Sequence, residues 1–133
     1  MFKRIMWTTL FVTDQARALD FYAQAFGFEK RVDNPGPEGR FLTIGLGGYD
    51  AEIVLWPGTH GRPTEGSGAP PSSIPGPLFL ESDDLAADVA ALRSLGVRFV
   101  EPAPEEYVYG VRATALDPDG NRVALRQPNQ PRG

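Results

Sequence analysis

Apolar and polar positions along this chain change period in short blocks, and the blocks read as strands and helices in turn. Residues 5–13, Ile-Met-Trp-Thr-Thr-Leu-Phe-Val-Thr, are rich in β-branched and aromatic side chains and predict a strand. Asp14 suits the N-cap of a helix in which Leu19, Tyr22 and Phe26 form one apolar stripe, and Gly27 suits its C-terminal cap. Phe28 to Val32 predicts a second strand. The breaker cluster at 33–39 follows, and then strands at 40–46 and 51–56 on either side of Gly47-Gly48-Tyr49-Asp50. Beyond residue 77 the same order returns. A strand at 78–82 leads to the acidic cap Asp83-Asp84 and a helix over 85–95 with Leu85, Val89 and Leu92 on one face. Gly96 ends that helix, and residues 97–100 predict a strand. Pro102 and Pro104 mark a rigid acidic loop over 101–106. The last strands, 110–116 and 122–127, flank Asp117-Pro118-Asp119-Gly120-Asn121, a strong hairpin-turn sequence.

The two halves are copies of one unit. Leu10-Phe11-Val12 matches Leu78-Phe79-Leu80, Gly27 matches Gly96, Gly39 matches Gly110 and Leu55 matches Leu125, each pair about 70 residues apart. Each copy reads β-α-β-β-β, unit one over 5–56 and unit two over 78–127. The segment 57–77 between them is dense in Gly, Pro and Ser and excludes helix or interior strand. It is either plain linkage or a ligand-responsive flap. A tail from Pro128 is expected to fray.

Length adds that 133 residues suffice for a single domain with its own core. The absence of cysteine excludes disulfides, thiolate metal sites and cysteine nucleophiles. A net charge of −4 argues against nucleic acid as a partner. No apolar run reaches the ~20 residues of a membrane span. Met1-Phe2-Lys3-Arg4-Ile5 enters the first strand without a signal-like apolar region, so a cytoplasmic location is expected.

Repeated β-α-β-β-β units closed by an Asp-Pro-Asp-Gly-Asn turn resemble the vicinal oxygen chelate superfamily, which includes glyoxalase I, bleomycin-resistance proteins and extradiol dioxygenases. The resemblance runs over about residues 5–128 and rests on Leu10-Phe11-Val12-Thr13-Asp14, Phe21-Tyr22, Gly27-Phe28, Asp84-Leu85, Leu92, Gly96-Val97 and Asp117 to Asn121. It implies an α+β fold in which the two units form an open, cupped, eight-stranded mixed sheet with the helices outside and the ligand in the cup. Metal-dependent relatives place one metal ligand on each of four strands. Carried over by register, those positions hold Trp7, Val54, Pro77 and Ala124. None offers the imidazole, carboxylate or thiolate that zinc, nickel or iron needs at about 2.0–2.3 Å. The single histidine, His60, lies in the Gly/Pro segment. No metal and no cofactor is therefore expected.

Strand alternation assigns the remaining faces. Ile53, Leu55, Val123 and Leu125 are expected to face the helices. The opposite face carries Glu52, Val54 and Trp56 in one unit and Arg122, Ala124 and Arg126 in the other. The candidate ligand-binding residues are Trp7, Thr9, Phe11, Phe41, Trp56, Phe79, Tyr109 and Arg112. The aromatics suit an organic-ligand pocket, or else simply fill the cup. Arg112 either anchors an anionic substrate or pairs with Glu52; these two are the catalytic candidates. Tyr107 and Tyr109 fall on the rim. The expected function is metal-free binding of an aromatic or cationic drug or metabolite. The alternatives are a glyoxalase-like lyase or isomerase acting without metal, and an accessory module with no ligand. A small organic ligand and a second copy of the chain, as a homodimer, are the expected partners.

Overall fold

A computed structural model describes residues 1–37, 40–58 and 76–129, and the chain divides into two compact units, Met1–Gly61 and Arg62–Gly133. The division falls in the Gly/Pro-rich segment between the copies. His60, the choice between linkage and flap, and the end of the tail lie outside the described residues.

The first unit comprises β1 (Trp7–Val12), α1 (Gln15–Phe26), β2 (Glu29–Asn34), β3 (Phe41–Gly45) and β4 (Glu52–Pro57). Its four strands lie in the order β1-β4-β3-β2, with β1 parallel to β4 and the other pairs antiparallel. A parallel pair needs a long crossover, which α1 begins. The second unit comprises β5 (Leu78–Glu81), α2 (Leu85–Ser94), β6 (Arg98–Phe99), β7 (Glu105–Tyr107), β8 (Gly110–Leu116) and β9 (Arg122–Pro128). Its order is β5-β9-β8-β6, with β5 parallel to β9 and β7 also paired to β8. The fold is thus mixed α+β, with one helix and one open mixed sheet per unit. No helix among the described residues is long and apolar enough to cross a membrane.

Capping fixes both helices where the sequence places them. The Asp14 side chain accepts from the Arg17 N–H at 3.0 Å, and Asp84 accepts from the Ala87 N–H at 3.1 Å. Gly27 takes φ +78° and Gly96 φ +87°, the left-handed region that ends a helix without a Cβ clash. Each helix start is also tied to its own sheet. Gln15 Nε2 donates to the carbonyls of Arg40 and Leu55 at 2.6 and 2.8 Å, and Gln127 Oε1 accepts from the Leu85 N–H at 2.7 Å. In the first core Leu10, Val12, Leu42, Ile44 and Leu55 are buried with Ala18 and Tyr22 of α1. In the second, Ala113, Ala115, Val123 and Leu125 are buried with Leu85, Val89 and Leu92. Each full burial of a large aliphatic chain contributes about 1.5–3 kcal/mol.

Four details depart from the sequence expectation. Ile5 and Met6 are exposed and precede β1, whose edge begins at Trp7. The buried stripe of α1 centres on Ala18 and Tyr22, while Leu19 and Phe26 are only half-buried flanks. The repeat is displaced by two residues on its first strand: Leu10 pairs with Leu55, whereas Leu80, not Leu78, pairs with Leu125. A slip of two leaves every side chain on its face, so the apolar pattern alone does not reveal it.

The fourth departure is a ninth strand, because the acidic segment is not all loop. Glu105–Tyr107 pairs with Gly110–Arg112 as soon as the chain clears Pro104, which has no N–H to give a ladder. Between β6 and β7 the ladder on β8 has a gap, and Glu101 fills it. Its carboxylate accepts from the Thr114 N–H at 2.7 Å and from Thr114 Oγ1 at 2.9 Å, with Glu101 only 5 % exposed. Arg93 of α2 holds the same segment by donating to the carbonyls of Glu101 and Pro102. Beyond β9, Asn129 donates to the carbonyls of Tyr109 and Val108 at 2.9 and 3.1 Å.

On the surface of the first unit, Arg40 grips Asp33 through Nε at 3.0 Å and Nη2 at 2.7 Å across the turn from β2 to β3. These bonds, assisted by Lys30, hold the Asp33 carboxyl down at about 2 against an ordinary 3.8. A depressed carboxyl stabilises the fold above its unfolded value, and the contribution disappears as pH falls toward the folded one. Asp33→Asn should therefore be less stable than the parent at pH 5, and the difference should close between about pH 4 and pH 2. Urea unfolding at both ends of that window checks this; a gap that persists at pH 2 would contradict it.

Candidate functional site

Two clusters of aromatic and charged side chains form on the sheet faces away from the helices, one in each unit. In the first, the pairing Trp7 with Glu52, Thr9 with Val54 and Phe11 with Trp56 puts all six on one face, as alternation requires. Trp7, 41 % exposed, packs edge-on against Phe41 with ring centroids 5.1 Å apart. Glu52 sits beneath it. Its Oε1 accepts from Trp7 Nε1 at 3.1 Å and from Thr43 Oγ1 at 3.0 Å, while its Oε2 lies 3.7 Å from Arg31 Nη1. Arg31 also donates to the carbonyls of Leu46 and Tyr49 at 2.7 and 3.1 Å and to Glu29 at 3.2 Å. Its head fits because residue 45 is glycine: a Cβ there would stand 2.8 Å from the guanidinium carbon. Arg4, Met6, Trp7, Arg31, Val32, Asp50 and Glu52 outline a polar hollow of ≈ 450 Å³.

In the second unit, Phe79, Glu81, Ala124, Arg126, Arg112 and Thr114 share a face by register. Phe79, Leu80, Glu81, Tyr107, Tyr109, Arg126 and Pro128 line an open hollow of ≈ 320 Å³ with a mixed, mainly aromatic and charged lining. The Arg126 guanidinium lies 5.2 Å from the Phe79 ring centre and 5.7 Å from that of Tyr107, and Arg112 lies 5.2 Å from Tyr107. Each distance is within the ≈ 6 Å reach of a cation–π contact. Tyr107 at the end of β7 and Tyr109 in the two-residue turn that follows meet edge-on at 6.1 Å. Phe79 and Tyr109 stay exposed, at 54 % and 72 %.

The expected residues are thus brought together in part. Trp7, Phe41 and Glu52 touch, with Thr9, Phe11 and Trp56 on the same face. Phe79 and Tyr109 line the second hollow, and Arg112 stands behind Tyr107. Each of the two catalytic candidates has a charged neighbour within its own unit: Glu52 Oε2 lies 3.7 Å from Arg31 Nη1, and Arg112 Nε lies 3.6 Å from Glu105 Oε1. Arg31 went unnoticed in the sequence because a β-bulge between Lys30 and Val32 breaks the alternation that would have placed it. Arg126 and Tyr107 were legible as face and rim residues, but only the pairing of β7 puts them in one hollow.

At the four positions where metal-dependent relatives carry ligands, Val54 and Ala124 are buried hydrocarbon and Trp7 gives its N–H to Glu52. Pro77 completes the set without a donor side chain. Among the described residues no three His, Cys, Asp or Glu side chains converge as a metal site would require. The donor chemistry at these positions does not fit a divalent metal.

Known proteins share this fold. TnmS3, an antibiotic binding protein from Streptomyces sp. CB03234, is 33 % identical, with a TM-score of 0.74 over 96 % of this chain and 98 % of its own. A glyoxalase/bleomycin resistance protein/dioxygenase superfamily member from Sphaerobacter thermophilus DSM 20745 is 31 % identical, with a TM-score of 0.75 over 95 % of this chain and 98 % of its own. The uncharacterized protein YetH of Bacillus subtilis (strain 168) is 25 % identical over 128 residues, which are 96 % of this chain and all of that one. A family model matches residues 4–125, and the chain accordingly belongs to the Glyoxalase/Bleomycin resistance protein/Dioxygenase superfamily.

Proposed function

We propose that this protein binds a small aromatic molecule and releases it unchanged, without a metal or other cofactor. The observation that carries this reading is the hollow of the second unit, where Phe79, Tyr107 and Tyr109 offer ring surface beside Leu80 and Pro128. Its volume falls at the low end for small-molecule sites, and aromatic walls with a few charged groups are what such sites use. The likeness to an antibiotic binding protein supports the same reading. The first unit carries its own face of ring and hydroxyl groups, Trp7, Thr9, Phe11, Phe41 and Trp56, while in the second Arg112 lies 5.2 Å from the Tyr107 ring centre.

The competing reading, a metal-free glyoxalase-like enzyme, needs Glu52 as a base. Glu52 already accepts two hydrogen bonds and faces Arg31, so its oxygens are engaged in holding Trp7 and β3. The protein is also read as a cytoplasmic homodimer. The edge strand β1 and the exposed Phe2, Ile5 and Met6 ahead of it would supply the contact.

Calorimetric titration with 2-naphthamide, a neutral planar probe, tests the binding function. One-to-one saturation is expected, with the probe recovered intact. Phe79→Ala and Tyr107→Ala should each weaken binding about tenfold, which is about 1.4 kcal/mol of lost ring contact. Conversion of the probe, or unchanged affinity in both variants, would overturn the reading.

A further inference from the structure

The hollow in the second unit carries a preference about charge that its aromatic walls alone would not reveal. Aromatic faces commonly invite a cationic ligand. Here the protein's own cations already occupy that position, Arg126 against Phe79 and Tyr107, and Arg112 against Tyr107. An incoming cation would have to displace a guanidinium rooted in the sheet or face one of like charge.

Both guanidiniums also have donors to spare. Arg126 donates from Nη1 to the Leu125 carbonyl at 3.0 Å, and among the described residues no carboxylate lies within ion-pairing distance of it. Glu81, its neighbour across the β5–β9 pair, lines the same hollow without forming that ion pair. Arg112 Nε is buried with no hydrogen-bond partner, because Glu105 at 3.6 Å is too far to accept from it. A buried donor left unsatisfied favours any arrangement that brings it an acceptor. A guanidinium in contact with ring faces keeps its N–H groups for other acceptors, in the fork that matches a carboxylate or other paired oxygens.

We infer that the hollow takes a planar aromatic molecule bearing an anionic oxygen group, with Arg126 forking to that group while the ring packs against Phe79 and Tyr107. This deepens the proposed binding function and rests on it. Glu81 acts against the anion and sets a limit on its affinity.

Three matched probes test the inference on the full chain: 2-naphthoate, 2-naphthamide and 2-naphthylmethylammonium. Naphthoate is expected to bind at least about tenfold more tightly than the amide, and the ammonium more weakly than either. In Arg126→Gln the ratio of naphthoate to amide affinity should fall to about one, and a circular dichroism spectrum like the parent's shows that the variant is folded. Glu81→Gln leaves the arginine intact and should strengthen naphthoate binding about two- to threefold, with raised salt weakening it. Equal or tighter binding of the ammonium, or a naphthoate advantage that survives in Arg126→Gln, would overturn the inference while leaving the binding function standing. Failure of all three probes to bind would remove both.

Discussion

Gly110→Ala is expected to destabilise the protein by about 4 kcal/mol, a loss of about 15 °C in Tm for a chain of this size. Gly110 adopts φ +147°, a region L side chains rarely enter, and a Cβ there would stand 2.0 Å from the carbonyl oxygen of Gln127. That oxygen belongs to backbone in the adjoining strand, so it cannot swing aside as a side chain would. Relief requires β8 and β9 to separate where Gly110 pairs with Pro128. Backbone strain and overpacking each cost about 1–3 kcal/mol, and here they act together. The same glycine closes the Val108-Tyr109 turn, so surviving folded protein should also bind aromatic probes more weakly. Thermal unfolding of the variant checks the prediction; a Tm within about 3 °C of the parent would contradict it.

Asp117→Ala is expected to cost about 3–4 kcal/mol. Asp117 is fully buried in the turn between β8 and β9. Its Oδ1 accepts from the N–H groups of Asp119 and Asn121 at 2.9 and 2.8 Å, and its Oδ2 accepts from Asn121 Nδ2 at 2.9 Å. Hydrogen bonds to a charged acceptor are the strong ones, and removing the acceptor leaves buried donors bare. Asp117→Asn keeps one oxygen for the backbone donors, and a flip of the Asn121 amide offers its new NH2 an acceptor. It should therefore cost less than half as much as alanine. Denaturant unfolding of the pair separates the two effects; equal losses would mean that the turn depends on charge and not on acceptor count.

How much of this was readable beforehand depended on whether the controlling interaction was local. Caps, helix stripes and tight turns are set within a few residues, so Asp14, Asp84, Gly27, Gly96 and the Asp117 turn stand where their sequence puts them. The buried stripe Leu85, Val89, Leu92 likewise follows from helical period. The two-residue displacement of β5 against the repeat was invisible, because a period of two cannot register it. The segment 101–107 misled for another reason. Its prolines and acids describe a loop, yet Glu101 is buried by a bond to Thr114, a partner far along the chain.

The candidate site divides the same way. The face residues Trp7, Phe41, Glu52, Phe79 and Arg126 were assignable by alternation. Their partners were not, because ion pairs are chosen by cross-strand register and by bulges. Arg31 wins Glu52 through the bulge in β2 and the space left at Gly45, and Glu105 wins Arg112 through a strand that the composition conceals. Each outcome turns on a neighbour that sequence distance hides.

The most direct test of the central claim is to map where an aromatic ligand binds. Amide shifts of isotopically labelled protein would be followed during titration with 2-naphthoate. Saturable shifts concentrated at Phe79, Leu80, Tyr107, Tyr109 and Arg126 are the result predicted by a binding hollow on the second unit. Shifts confined to the polar hollow around Arg31 and Glu52, or none at saturating probe, would contradict it.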